Sequence, residues 1–97
     1  MQFDIPSDHL QDFCRRHRIR RLSLFGSVLR SDFRNDSDVD VLVEFQPNLR
    51  LGFLGLAAIE RELSLLIGRH VDLRTPQDLS PYFRDAVLRT AVVQYAA

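Results

Sequence analysis

The connections between three apolar segments constrain this chain more than any other feature. Ile19, Leu22, Leu24 and Phe25 read as one short strand, the β-branched run Val39 to Phe45 as a second, and His70 to Arg74 as a third. The segment Gly26 to Ser37 between the first two is too short for a full crossover helix, so these strands are expected to run antiparallel. Leu51 to Ile67 lies between the second and third and is long enough for a helix. That pair is therefore expected to be parallel. Together the two connections require a small mixed β-sheet flanked by helices, an α/β (α+β) architecture.

The helices are legible from their periodicity. Leu10, Phe13, Cys14 and His17 fall at i, i+3, i+4 and i+7, one face of a helix that Pro6-Ser7 can open with Ser7 as its cap. In the long helix, Leu56, Ile59, Leu63 and Leu66 share one side, and Leu54, Ala58, Arg61 and Leu65 the other. Gly68 is placed to terminate it. Asp78 or Ser80 can start a last helix carrying Phe83, Val87 and Leu88, and Ala91 to Tyr95 reads equally as helix or short strand.

Composition limits the function classes. A chain of 97 residues is expected to form a single domain, 1–97. Formal net charge is zero, which does not support direct nucleic-acid binding by bulk charge. No apolar run approaches the roughly 18 residues of a membrane span, and no signal peptide is expected. The single Cys14 cannot form an internal disulfide and suits a reducing, cytoplasmic setting. All thirteen cations are arginine. Arg15, Arg16, Arg18, Arg20 and Arg21 cluster, as a patch for a partner or RNA, or as ordinary solvated charge. Acid early and base late in a helix, Asp8 and Asp12 before Arg15 and Arg16, favours the second reading for those two.

The chemistry concentrates between Phe25 and Val43. Strand alternation puts Asp38, Asp40 and Leu42 on one face and Val39, Val41 and Val43 on the other, toward the core. Two adjacent carboxylates repel each other unless a cation lies between them, and hard oxygen donors of this kind suit Mg²⁺. Asp-x-Asp alone is common as an exposed strand face. Gly26-Ser27 shifts the balance: glycine permits a tight turn, and the free N–H groups of a helical turn opening at Ser27 favour a phosphate. Ser27 as a simple helix cap is compatible with that. Asp72 alternates away from Val71 and Leu73. If its strand lies beside that of Asp38 and Asp40, it can join the same polar face as a metal ligand or general base; otherwise it is an edge-strand carboxylate in water.

Gly26-Ser27, ten residues, then Asp38-Val39-Asp40, with Asp72 downstream, resembles the signature of the DNA polymerase β-like nucleotidyltransferase superfamily. The short length and the run from His17 to Ser27 are similar more specifically to the minimal nucleotidyltransferase (MNT) antitoxins. The similarity extends from about residue 7 to the end. It implies an enzyme, a Mg-dependent protein adenylyltransferase. This would move AMP from ATP onto a tyrosine of a HEPN-type RNase toxin, neutralise it and form a hetero-oligomer with it. By the same resemblance Asp38 and Asp40 would bind metal, two Mg²⁺ ions being implied. Asp72 would be third ligand or base, and Gly26, Ser27 and Arg30 would hold nucleotide phosphates. The family often has Ala-Arg-Gly where this chain has Leu29-Arg30-Ser31. A non-catalytic antitoxin that blocks its toxin by occlusion is the alternative.

The other polar residues carry less. His9, His17 and His70 have no metal-ligand spacing and read as structural or exposed, and Cys14 as core. Tyr82 and Tyr95 could accept a nucleotide but read as packing residues. Leu49, Leu51, Phe53 and Leu54 exceed what one helix face needs, and form either a partner surface or further core.

Overall fold

A computed structural model describes residues 6–29, 38–49 and 51–97. In chain order these form α1 (Ser7–Arg16), β1 (Ile19–Phe25), a 3₁₀ turn (Gly26–Leu29), β2 (Val39–Phe45), α2 (Phe53–Ile67), β3 (Val71–Arg74), a second 3₁₀ turn (Pro76–Asp78), α3 (Pro81–Thr90) and β4 (Val92–Ala96). The four strands make one sheet in the order β3-β2-β1-β4. β1 is antiparallel to β2 and β4, and β2 is parallel to β3, as the connection lengths require. The ambiguous tail resolves as strand: pairing with β1 overrides its local preference.

The apolar periodicities of the helices and strands meet on one face of the sheet. Leu10, Phe13 and Cys14 of α1, Leu22 and Leu24 of β1, Val39, Val41 and Val43 of β2, Ile59 and Leu63 of α2, and Val71 of β3 form one buried cluster. Each fully buried Leu, Phe or Val contributes about 1.5–3 kcal/mol in transfer free energy, which fixes the strand register by fixing which face points inward. Of the two sides of α2, the one with Leu54 and Leu65 faces outward: both are exposed. Leu42 departs from the alternation argument. It lies on the Asp40 face, yet it is buried. It sits in the middle of a central strand, between Ser23 of β1 and Arg74 of β3, so neighbours shield it on both sides.

Helix ends follow local chemistry, with one correction. Gly68 ends α2 at φ 78°, in the left-handed region where glycine carries no penalty, and its N–H bonds the Ser64 carbonyl. Ser80 caps α3 through Oγ, which accepts from the Tyr82 N–H at 3.3 Å. Ser7 is not a cap: it is the first residue of α1, Pro6 occupies the capping position, and no side-chain bond closes that end. Arg84 anchors α3 by donating to the Pro76 and Leu79 carbonyls at 2.8 and 3.0 Å.

The arginine cluster is mostly spoken for. Arg16 donates to Asp12 and, across to α2, to Glu62 at 2.7 Å. Its guanidinium is the main cause holding the Glu62 carboxyl below the usual range. Arg20 and Arg21 both lie beside Glu44 of β2, at 3.2 and 3.6 Å. These are paired surface charges, not a free basic stripe. His17 lies 3.2 Å from Glu62 and against the Phe13 ring. Tyr82 corrects another expectation: it is 91% exposed and packs on nothing, while Tyr95 packs against the core. Leu51, Phe53 and Leu54 are exposed, so they are not core. No helix among the described residues is long and apolar enough to cross a membrane.

Candidate active site

Strand directions bring the candidate residues to one end of the sheet. β1 runs out at Phe25, whose partner is Asp40, so Gly26 follows immediately beside the start of antiparallel β2. β3 is parallel to β2 and begins at the same end, with Asp40 opposite Asp72 and Val39 opposite Val71. The parallel register therefore places Asp72 beside Asp40, neighbouring strands being about 4.8 Å apart.

Gly26 has a specific steric reason. Its φ is +72°, and a Cβ there would overlap the Asp40 Oδ2. Only glycine lets the turn after β1 pass this close to the carboxylate while adopting left-handed backbone. The turn thus exists in its observed form because residue 26 has no side chain, and Asp40 occupies the space this leaves.

Two nitrogen-bearing side chains that sequence reasoning did not place at the site lie on the other two carboxylates. His70 Nδ1 lies 3.0 Å from Asp38 Oδ1. Arg74 meets Asp72 with two nitrogens, Nε at 3.1 Å from Oδ1 and Nη2 at 3.3 Å from Oδ2, a forked guanidinium–carboxylate pair. Arg74 was detectable in principle, because residues i and i+2 of a strand share a face. His70 shares that face by the same alternation, but only the parallel register sets it beside Asp38. These groups are solvent-accessible, and ion pairs of that kind contribute only about 0.2–1 kcal/mol. They hold the carboxylates without committing them.

Oxygen-donor chemistry fits Mg²⁺, which commonly takes one or two carboxylates and completes its shell with water and substrate phosphate. Among the described residues, however, no three Asp, Glu, His or Cys side chains stand as a ready ligand cluster. The backbone juxtaposes the carboxylates, and side-chain rotation is needed to converge them. The backbone of Ser27 lies in the 3₁₀ turn, but its side chain is outside the described set, and Arg30 falls outside the described residues altogether.

Cys14 takes no part in chemistry. It lies on the buried face of α1, and burial pushes its thiol up to about 12, leaving almost no thiolate near neutrality.

Known proteins resemble this chain in sequence and in fold. The Nucleotidyltransferase domain family matches residues 7–93. The protein adenylyltransferase MntA of Thermococcus cleftensis is 35% identical over 90 residues, covering 91% of this chain and 87% of that one. A chain in a toxin–antitoxin crystal structure with AMP-PNP superposes with a TM-score of 0.75 at 17% identity, over 96% of this chain and 75% of that one. A chain in the complex of tri-AMPylated Shewanella oneidensis HEPN toxin with MNT antitoxin gives a TM-score of 0.67 at 17% identity, over 94% and 70%. At such identities these two structures speak for the fold. With the family model matched over residues 7–93, the chain belongs to the nucleotidyltransferase domain family.

Proposed function

We propose that residues 1–97 form one minimal nucleotidyltransferase domain that transfers AMP from Mg·ATP to a tyrosine of a partner protein, a HEPN-type RNase toxin, and so acts as its antitoxin. The observation that carries this reading is the juxtaposition of Asp40 and Asp72 across the parallel β2–β3 pair, with Gly26 pressed against Asp40. The T. cleftensis relative named as a protein adenylyltransferase supports the reaction class, and the MNT–HEPN complexes support the class of partner. A hetero-oligomer with the toxin follows, working in the cytoplasm.

In this reading Asp38 and Asp40 hold the metal, two Mg²⁺ ions, and Asp72 is the third ligand or the base. When bound, Mg²⁺ neutralises charge developing on the phosphates. The residues of the chain do the rest. The turn at Gly26 and Ser27, with Arg30, holds the terminal phosphates. As base, Asp72 would take the proton of the acceptor phenol as its oxygen attacks the α-phosphorus; as metal ligand, it would leave that proton to water. The bond from the α-phosphorus to the bridging oxygen breaks, and pyrophosphate leaves.

The test is the intact mass of the adjacently encoded partner after incubation with this protein and Mg·ATP. Mass gain in whole AMP units, lost in Asp38→Asn/Asp40→Asn, is expected. Occlusion without catalysis is the second reading, favoured by exposed Phe53 and Leu54. A partner silenced with no mass gain, by wild type and double variant alike, would establish it instead.

A further inference from the structure

Resting on the site reading above, the geometry points to Arg74 as an exchangeable counter-ion: it holds Asp72 while no metal is bound, then passes to a phosphate oxygen of the incoming nucleoside triphosphate. Arg74 sits two residues beyond Asp72 on the same strand and grips it with two nitrogens. Both side chains are open to solvent, so the pair can part without opening the core. Asp72 and Arg74 line a pocket with two further carboxylates, Glu60 and Asp78, each already holding a donor. Glu60 accepts from the Leu73 N–H at 2.8 Å, and Asp78 accepts from the Thr75 N–H and hydroxyl at 3.1 and 3.0 Å. Among the described residues Arg74 donates to Asp72 alone. Among the described residues, the acceptors open to a guanidinium released there are carboxylates that already hold another donor. A triphosphate brings several, in the planar geometry that arginine favours.

The exchange explains why the carboxylates are juxtaposed but not converged. Asp72 is turned onto Arg74 and Asp38 onto His70, contacts that a cation would displace. A metal arriving alone must displace the guanidinium into water. A metal arriving with a nucleotide finds Arg74 a new partner, so Arg74 strengthens the mutual dependence of the two ligands. It is a positioning residue in this scheme, acting on the metal through Asp72.

The experiment titrates the full chain with Mn²⁺ in the absence of nucleotide, and separately with AMP-PNP at saturating Mg²⁺. Arg74→Gln is expected to tighten Mn²⁺ binding by up to about fivefold, the scale of an exposed ion pair, and to weaken AMP-PNP binding by a similar factor. Arg74→Lys keeps the charge and should stay near wild type for Mn²⁺. In an Asp72→Asn background Arg74→Gln should leave Mn²⁺ affinity unchanged, since the pair is already gone. Mn²⁺ affinity that fails to rise in Arg74→Gln, or AMP-PNP affinity that fails to fall, overturns the proposal. If Mn²⁺ binding is also insensitive to Asp38→Asn/Asp40→Asn, the site reading itself fails. If that double variant abolishes binding while Arg74→Gln matches wild type, only the counter-ion role fails.

Discussion

The two edges of the sheet are built to different standards. The β3 edge is tied on both sides. Its inner side pairs with β2 over four residues, and its outer side is closed by α2: Ser64 Oγ accepts from the Val71 N–H at 3.0 Å and a Glu60 carboxylate oxygen from the Leu73 N–H at 2.8 Å. Helix side chains thus satisfy donors that an edge strand would otherwise offer to water or to another chain. The β4 edge is held by its ladder with β1, interrupted by a register shift between Leu22 and Ser23, and by Tyr95 packed against the core. Val92 and Val93 are about half exposed, and the preceding α3 buries no residue among those described. The candidate site lies at the β3 side. A carboxylate that must be placed against its neighbour on β2 needs a strand that does not fray, and α2 supplies that rigidity.

The largest expected effect comes from loosening α2. Leu63 is fully buried between α2 and the sheet. Leu63→Ala should cost about 2–5 kcal/mol of unfolding free energy in urea titration, the range for a buried leucine reduced to a cavity. Phe83→Ala on α3, where the ring is largely exposed, should cost well under 1 kcal/mol. Similar losses at the two positions would show that α3 is as tightly packed as α2, and the contrast between the edges would fall.

Next is the cap itself. Glu60→Ala leaves the Leu73 N–H without its acceptor and should destabilise by about 1–2 kcal/mol, while Glu60→Gln, which retains an amide oxygen, should recover most of the loss. Because that N–H adjoins Asp72, the alanine variant should also speed amide exchange at Leu73 more than at any β4 amide. Uniform acceleration across the sheet would mean that Glu60 contributes to global stability and has no particular hold on the β3 edge.

The unequal edges also account for what sequence could and could not reveal. Val39, Val41 and Val43 declared the central strand by composition, and the lengths of the connections fixed its two neighbours' directions. Asp38, Asp40 and Gly26 were legible as a motif, and the overlap that a Cβ at residue 26 would make with Asp40 supplies the physical reason for that glycine. Relations carried by register stayed hidden. His70 beside Asp38, and Glu60 on an amide of the following strand, depend on which residues of distant segments end up level, and no local pattern encodes that. Leu42 misled because alternation describes a strand with one wet face, whereas a central strand is shielded in its middle on both. The tail Val92–Ala96 was ambiguous for the opposite reason: with both valines half exposed, it lacks the one-sided burial that makes a period readable.

The smallest effect offers the cleanest comparison, because it uses one substitution at matched places. Val71 opens β3 and is fully buried, whereas Val93 lies on β4 and is half exposed. Both are edge-strand valines, so strand propensity and the change in chain entropy are alike for Val→Ala at each. What differs is the apolar area returned to water and the cavity left behind. At Val71 both terms apply in full, and the loss should be about 2 kcal/mol. At Val93 half of the area is already wet and no closed cavity can form, so the loss should be about 0.5 kcal/mol. Subtracting the two in parallel urea titrations removes the propensity contribution and leaves burial alone. A Val93 loss equal to that of Val71 would mean that β4 is covered in solution by something beyond this chain's own described residues. In that event the weak edge would belong to the isolated chain and not to the working assembly.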